Sequence, residues 1–265
     1  LFAAGIVMPF AVGHVRRDLA ALSSREKALV LTSGGCLAVH FALWIASLGR
    51  TSVASSVALV TTSPLWVAVA APILLHQPFS SRLVGGIVIA FAGAILVGGG
   101  DLSIGGGRVL VGDLMALGGA LAAAGYFLIG GRIRPRLRLS SYVALVYGLA
   151  AAALLVWCLI ARTPMTGFSR QTWIVLLLLG AVPQVLGHSS FNWALSRLST
   201  TFVTGTVLGE AVGSTVLAWL VLGEEPPALA ALGGALVLTG LLRSAAAETA
   251  RREMTREAHQ PSPRS

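Results

Sequence analysis

One feature constrains this chain more than any other: long apolar runs alternate with short polar breaks along nearly its whole length. The runs lie at 1–15, 28–48, 53–75, 83–100, 111–131, 141–161, 172–194, 202–222 and 226–243. The breaks fall at Arg16–Lys27, Gly49–Ser52, His76–Arg82, Asp101–Leu110, Arg132–Ser140, Arg162–Gln171, Leu195–Thr201 and Gly223–Pro227. A bilayer core of about 30 Å takes roughly 20 apolar residues per helical crossing. Inside it every backbone N–H and C=O needs a partner within the segment, which favours helices. The expected fold is therefore all-α, a polytopic membrane helix bundle with about nine visible crossings, the first incomplete. With 55% hydrophobic and only 11% charged residues, a soluble globule and a disordered chain are both excluded.

The formal charge of +9 would suggest nucleic acid in a soluble protein. Here it follows membrane topology instead. Summing Lys and Arg over alternate breaks puts fifteen on one side, with the C-terminal tail, and four on the other, namely Arg50, Arg108, Arg162 and Arg170. Cytoplasmic loops retain positive charge, so the first side is expected in the cytoplasm of a multi-pass inner-membrane protein, and nucleic acid is not an expected partner. Cys36 and Cys158 lie inside apolar runs and form neither a disulfide framework nor a zinc-ligand spacing. Leu1 to Val15 lacks a charged leader and reads as a crossing cut short rather than a signal peptide. After Arg243 the chain turns hydrophilic, and residues 244–265 are expected as a solvated cytoplasmic tail with a short helix before Pro261.

An internal repeat appears at an offset of 147 residues. It matches Leu48 with Leu195, Arg50 with Arg197, Ser52 with Ser199, Gly86 with Gly233 and Gly93 with Gly240. Arg50 and Arg197 fall on opposite sides of the charge count. A unit with an odd number of crossings must be inverted in its second copy, and inverted repeats are a transporter architecture with a site near the midplane. Leu1 corresponds to Gly148, so the counterpart of Gly112–Gly131 would precede residue 1, and the expected plan is five plus five crossings with the first helix missing.

These residues resemble the EamA family of the drug/metabolite transporter superfamily. The first-half signature is Leu43 and Trp44, then Arg50–Ser55, then Ser63 and Pro64, with Gly85 and Gly86 after a polar turn. The second half shows Gly112 and Asp113, then Arg197–Ser199, Glu210, and Gly223–Glu225. The family usually carries proline after the glutamate, whereas this chain has Ala211. The resemblance implies repeats at 1–106, truncated at its start, and 107–243, and a ten-helix carrier moving small metabolites, often outward, with both termini cytoplasmic.

Glu210 is the sharpest candidate for function. It lies eight residues into its run, about 12 Å deep at 1.5 Å per residue. A carboxylate at that depth costs a few kcal/mol and usually faces a cavity or a partner, so it is expected to be a substrate or proton site, with interhelical hydrogen bonding as the alternative. Thr62, Ser63 and Pro64 occupy the matching depth in the first half, and Pro64 frees the carbonyl of Val60. His40 and His188, one in each half, are candidates for cavity lining or for interhelical hydrogen bonds. Trp44 and Asn192 could contact a polar cargo, and packing is their other explanation. The glycines at 112, 118, 119, 125, 130 and 131 point to close helix packing, with no Gly-Lys-Ser or Gly-Lys-Thr after them. Arg132–Arg138 place four arginines at one face, where topology and anionic headgroups account for them.

The expected function is that of a secondary transporter, an exporter of a small polar metabolite or drug working by alternating access. Its partners are a small-molecule substrate, the lipid bilayer and a coupling proton, with a homodimer left open. No cofactor, metal or enzyme chemistry is expected. The alternatives are a non-transporting membrane scaffold and a membrane-embedded enzyme.

Overall fold

The computed structural model describes residues 1–78, 80–97, 107–223, 225 and 228–257. Most of the break at Asp101–Leu110, and Glu224 of the second-half motif, lie outside them. Among the described residues every regular element is helical: α1 Phe2–Val7, α2 Val15–Ala20, α3 Ser24–Ser47, α4 Val53–Val60, α5 Ser63–Leu74, α6 Ser81–Val97, α7 Gly107–Ile133, α8 Leu139–Ile160, α9 Arg170–Leu179, α10 Ser189–Ala194, α11 Thr200–Gly205, α12 Glu210–Leu217 and α13 Ala228–Glu257. Among the described residues seven segments are long and apolar enough to cross a bilayer, and α6, at 17 residues, is a shorter apolar helix. The run at 1–15 forms only α1 and the tight turn Met8–Phe10 before the chain enters α2.

Serines start the helices where the runs begin. The side chains of Ser23, Ser52, Ser169 and Ser199 accept from Glu26 N, Ser55 N, Thr172 N and Phe202 N, which satisfies donors that a helix leaves free at its start. At Ser23 the cap is reciprocal, since Ser23 N donates to Glu26 Oε2 at 2.9 Å.

Three crossings are interrupted. Between α4 and α5 the chain turns at Thr61–Thr62, just before Pro64, whose missing N–H and bulky ring cannot continue a helix from behind. Between α9 and α10 the stretch Gly180–His188 widens to π winding around Pro183, a common way for a helix to absorb a proline. Between α11 and α12 the turn tightens at Thr206–Gly209 although residue 211 is alanine. There the Thr206 hydroxyl donates to Val203 O at 2.7 Å, competing with the regular ladder. The interruptions ahead of Ser63 and Glu210 fall at the same point of the 147-residue repeat.

The main core joins α3, α7 and α8 around Tyr126, Tyr142, Leu37, Ile133 and Val146. Small residues let these helices approach: a Cβ on Gly119 would stand 3.4 Å from His40 O, and one on Gly125 3.2 Å from Cys36 Sγ. Burial concentrates at the arginine-rich end. The buried residues of α8 all lie within 141–151, five of the six residues of α11 are buried, and α9 buries none.

The closest helix pair is α6 with α13, which run antiparallel. A Cβ on Gly93 would stand 2.5 Å from Gly233 O and 2.6 Å from Val237 N, and one on Gly233 would stand 2.6 Å from Gly93 O and 2.7 Å from Val97 N. Gly86 meets Gly240 O and Ser244 N, and Gly240 meets Gly86 O and Ala90 N. Shifting either helix's residues by 147 converts one set of contacts into the other.

The stretch after Arg243 differs from the solvated tail expected of it. It prolongs α13 to Glu257, and Ser244 and Glu248 are buried. Glu248 has a partner that holds it there: its carboxylate accepts from Ser199 N at 3.0 Å and Ser199 Oγ at 2.6 Å, closing the start of α11. At the opposite end Asp113 of α7 accepts from Thr51 and Ser55 hydroxyls at 2.7 and 2.9 Å beside the start of α4.

Candidate functional site

Helix periodicity puts His40, Phe41 and Trp44 on one side of α3, where Gly119 of α7 leaves them room. His40 stacks on Trp44 with ring centres 5.8 Å apart, and its Nδ1 lies 3.0 Å from Gly119 O. Since a carbonyl can only accept, that contact puts a proton on Nδ1. The π-wound stretch and α10 bring His188, Phe191 and Asn192 to the same place. The His188 ring lies 5.9 Å from Phe41, 6.2 Å from Tyr126 and 6.2 Å from Phe191.

Asn192 is completely buried. Its Nδ2 donates to Tyr126 Oη at 2.5 Å and to His188 O at 2.7 Å. Tyr147 of α8 closes this side, its hydroxyl lying 3.3 Å from Gln184 O and 3.2 Å from Ser189 Oγ. The result is an aromatic box whose walls come from α3, α7, α8 and the interrupted crossing.

Three buried polar atoms in this cluster have no partner among the described residues: Trp44 Nε1, His188 Nδ1 and Asn192 Oδ1. They comprise an indole donor, an amide acceptor and an imidazole nitrogen whose role follows its tautomer. An unmet polar group in a low-dielectric interior is costly, so such groups are rare and call for an explanation. A small molecule carrying both donors and acceptors supplies one.

Of the eight residues singled out from the sequence, the structure assembles four: His40, Trp44, His188 and Asn192. Thr62, Ser63, Pro64 and Glu210 stand instead at the two matching interruptions, with no hydrogen bond or ring contact to the box among the described residues. Thr62 Oγ1 donates to Leu59 O at 2.7 Å and accepts from Trp66 Nε1 at 3.1 Å, while Ser63 and Pro64 are buried. Glu210 opens α12, where the helix dipole favours a carboxylate. Its side chain is exposed on the face shared with Gly213 and Leu217.

Sequence reasoning missed Tyr126 and Tyr147. A signal was present: Tyr126 and Tyr147 each lie five or more residues inside their apolar runs, whereas tyrosine collects at the membrane interfaces. It also missed Arg134. That residue is 5% exposed and has no carboxylate beside it among the described residues. Its Nε donates to Asn192 O at 2.8 Å, its Nη1 donates to Leu137 O, and its guanidinium lies 5.8 Å from the Tyr142 ring centre. Tyr142 Oη in turn lies 2.7 Å from Ser33 Oγ on α3. Arg134 thus fixes the backbone of the residue that presents the orphaned amide.

A multi-pass helical bundle with apolar crossings and a buried cluster of aromatic rings and unmet polar groups is a polytopic helical membrane protein. The chain is a member of the EamA-like transporter family, which it matches over residues 1–99 and 110–244. Over 64 residues it is 38% identical to a probable terminal-alkyne amino-acid exporter of Streptantibioticus cattleyicolor. That alignment spans 24% of this chain and 22% of the relative. A solved crystal structure shares the fold with a TM-score of 0.77 at 18% identity, covering 93% of this chain and 85% of its own.

Proposed function

We propose that this chain is a secondary transporter of the cytoplasmic membrane that exports a small zwitterionic molecule, an amino acid with an apolar side chain, by alternating access. The observation that carries this reading is the set of unpartnered polar atoms of Trp44, His188 and Asn192 inside an aromatic box. The indole donor suits a carboxylate, the amide oxygen suits an ammonium, and the rings suit a slender apolar side chain. The name of the relative matched over part of the chain points the same way.

The architecture in this reading is an inverted repeat. Its support is the offset of 147, the interruptions before Ser63 and Glu210, and the α6–α13 contacts that map onto themselves. The arginine-rich end faces the cytoplasm, following the charge count. Glu210 is the proton site.

The full chain in liposomes is expected to exchange labelled apolar amino acids across the bilayer faster than acidic or basic ones. Absence of exchange for every amino acid by folded protein overturns the cargo assignment. Glu210→Gln is expected to keep this exchange and lose the acceleration by a pH gradient. Persistence of that acceleration at wild-type level removes Glu210 from proton coupling.

A further inference from the structure

Away from the aromatic box, a cavity of about 420 Å³ opens at the arginine-rich end between the first turn of α3, the chain after α5 and the last turn of α7. Its polar wall carries Arg25, Arg132, Arg136 and Glu26, and Leu29, Leu75 and Ile133 form its apolar wall. Three guanidinium groups face one carboxylate, a net of 3 − 1 = +2. The carboxylate is already engaged, because Glu26 accepts from Ser23 N, Ser23 Oγ and Arg136 Nη1, the last at 2.7 Å. Arg136 is therefore neutralised. Arg132 Nη1 reaches only Leu74 O at 3.4 Å, and Arg25 makes no hydrogen bond or ion pair among the described residues.

Retention of positive charge on one side explains why arginines occur in this region. It does not require two of them to border one hollow with their charge uncompensated. The hollow lies where the apolar part of α3 begins and that of α7 ends, so its depth matches the level of lipid headgroups. Its aliphatic wall would be wasted on a free inorganic anion, whereas a phosphodiester with an acyl chain would use both walls. Basic pockets between membrane helices bind such headgroups.

We propose that this cavity binds the headgroup of an anionic phospholipid, with Arg25 and Arg132 as the ligating cations and Arg136 oriented by Glu26. The site stands on its own geometry and does not depend on the cargo or direction of transport.

The test is native mass spectrometry and thermal unfolding of the detergent-solubilised full chain titrated with phosphatidylglycerol, phosphatidylcholine or inorganic phosphate. Wild type is expected to hold phosphatidylglycerol about thirtyfold more tightly than phosphatidylcholine, the scale set by two arginines near a headgroup. The double variant Arg25→Gln and Arg132→Gln should lose that preference with its lipid-free unfolding midpoint unchanged, since both side chains are exposed. The control Arg16→Gln and Arg17→Gln removes the same charge from exposed positions of α2 and should keep the preference. An equal loss in the control overturns a discrete site in favour of diffuse attraction. Stabilisation by inorganic phosphate equal to that by the lipid overturns the lipid assignment and leaves a soluble-anion site.

Discussion

Gly240→Val is expected to unfold or disassemble the bundle. A Cβ at this position meets the carbonyl of Gly86 and the amide of Ala90. Both are backbone atoms, which cannot swing aside as a side-chain tip can, so α6 and α13 must separate along their whole crossing. Overpacking of a tight core costs about 1–3 kcal/mol and sometimes more. In lipid, where helices associate through close packing rather than through burial from water, little else compensates. Gly93→Val should cost about as much, because its Cβ meets the equivalent atoms, Gly233 O and Val237 N. Gly35→Ala is the control: nothing lies within 4 Å of a Cβ there, and removing a mid-helix glycine should leave stability unchanged or raise it by up to about 1 kcal/mol. Thermal unfolding in detergent, followed by fluorescence-detected size exclusion, reads all three. If Gly240→Val unfolds at the wild-type temperature, the described crossing of α6 and α13 is wrong.

The second large effect is expected at Asn192, on activity and not on stability. Asn192→Leu preserves side-chain volume and deletes a buried acceptor that has no partner, at the loss of the hydrogen bonds to Tyr126 Oη and His188 O. Stability should therefore change by no more than about 1 kcal/mol, since relieving an unmet group, a cost of about 1–3 kcal/mol, offsets the loss of two bonds of about 0.5–1.5 kcal/mol each. Transport should fall steeply. A hydrogen bond to a charged ligand group contributes roughly 1.5–3 kcal/mol, which corresponds to a loss of about ten- to a hundredfold in apparent affinity. Parallel measurement of uptake and unfolding separates a cargo contact from a structural one. Loss of transport that simply tracks loss of stability would make Asn192 structural glue.

Much of the bundle was legible because lipid imposes length and hydrophobicity on each crossing, and insertion imposes the sign of each loop. That α7 packs closely was legible in the density of its glycines, but which helices it meets was not. The widened stretch around Pro183 was not legible either, because an apolar run reads the same whether its backbone is regular or rewound. Arg134 was hidden for a related reason. Counting charges by side treats every arginine as solvated, and nothing in its neighbours announces that this one turns inward onto the carbonyls of Leu137 and Asn192. Glu210 illustrates the opposite difficulty. Depth within a run can be counted, but whether that depth opens to the aromatic box depends on helix rotation, and the structure turns its side chain to the exposed face of α12 instead.

The crossing of Gly86, Gly93, Gly233 and Gly240 also bears on how such a bundle moves. Any contact set that is its own image lies on the axis relating the two halves. In the alternating-access reading proposed above, contacts off the axis would break and re-form on the other side as the halves trade shapes, while this one would be carried into itself. On that reading the glycine crossing is the natural fulcrum: it needs no second set of partners, and the backbones it brings together could stay locked through every turnover.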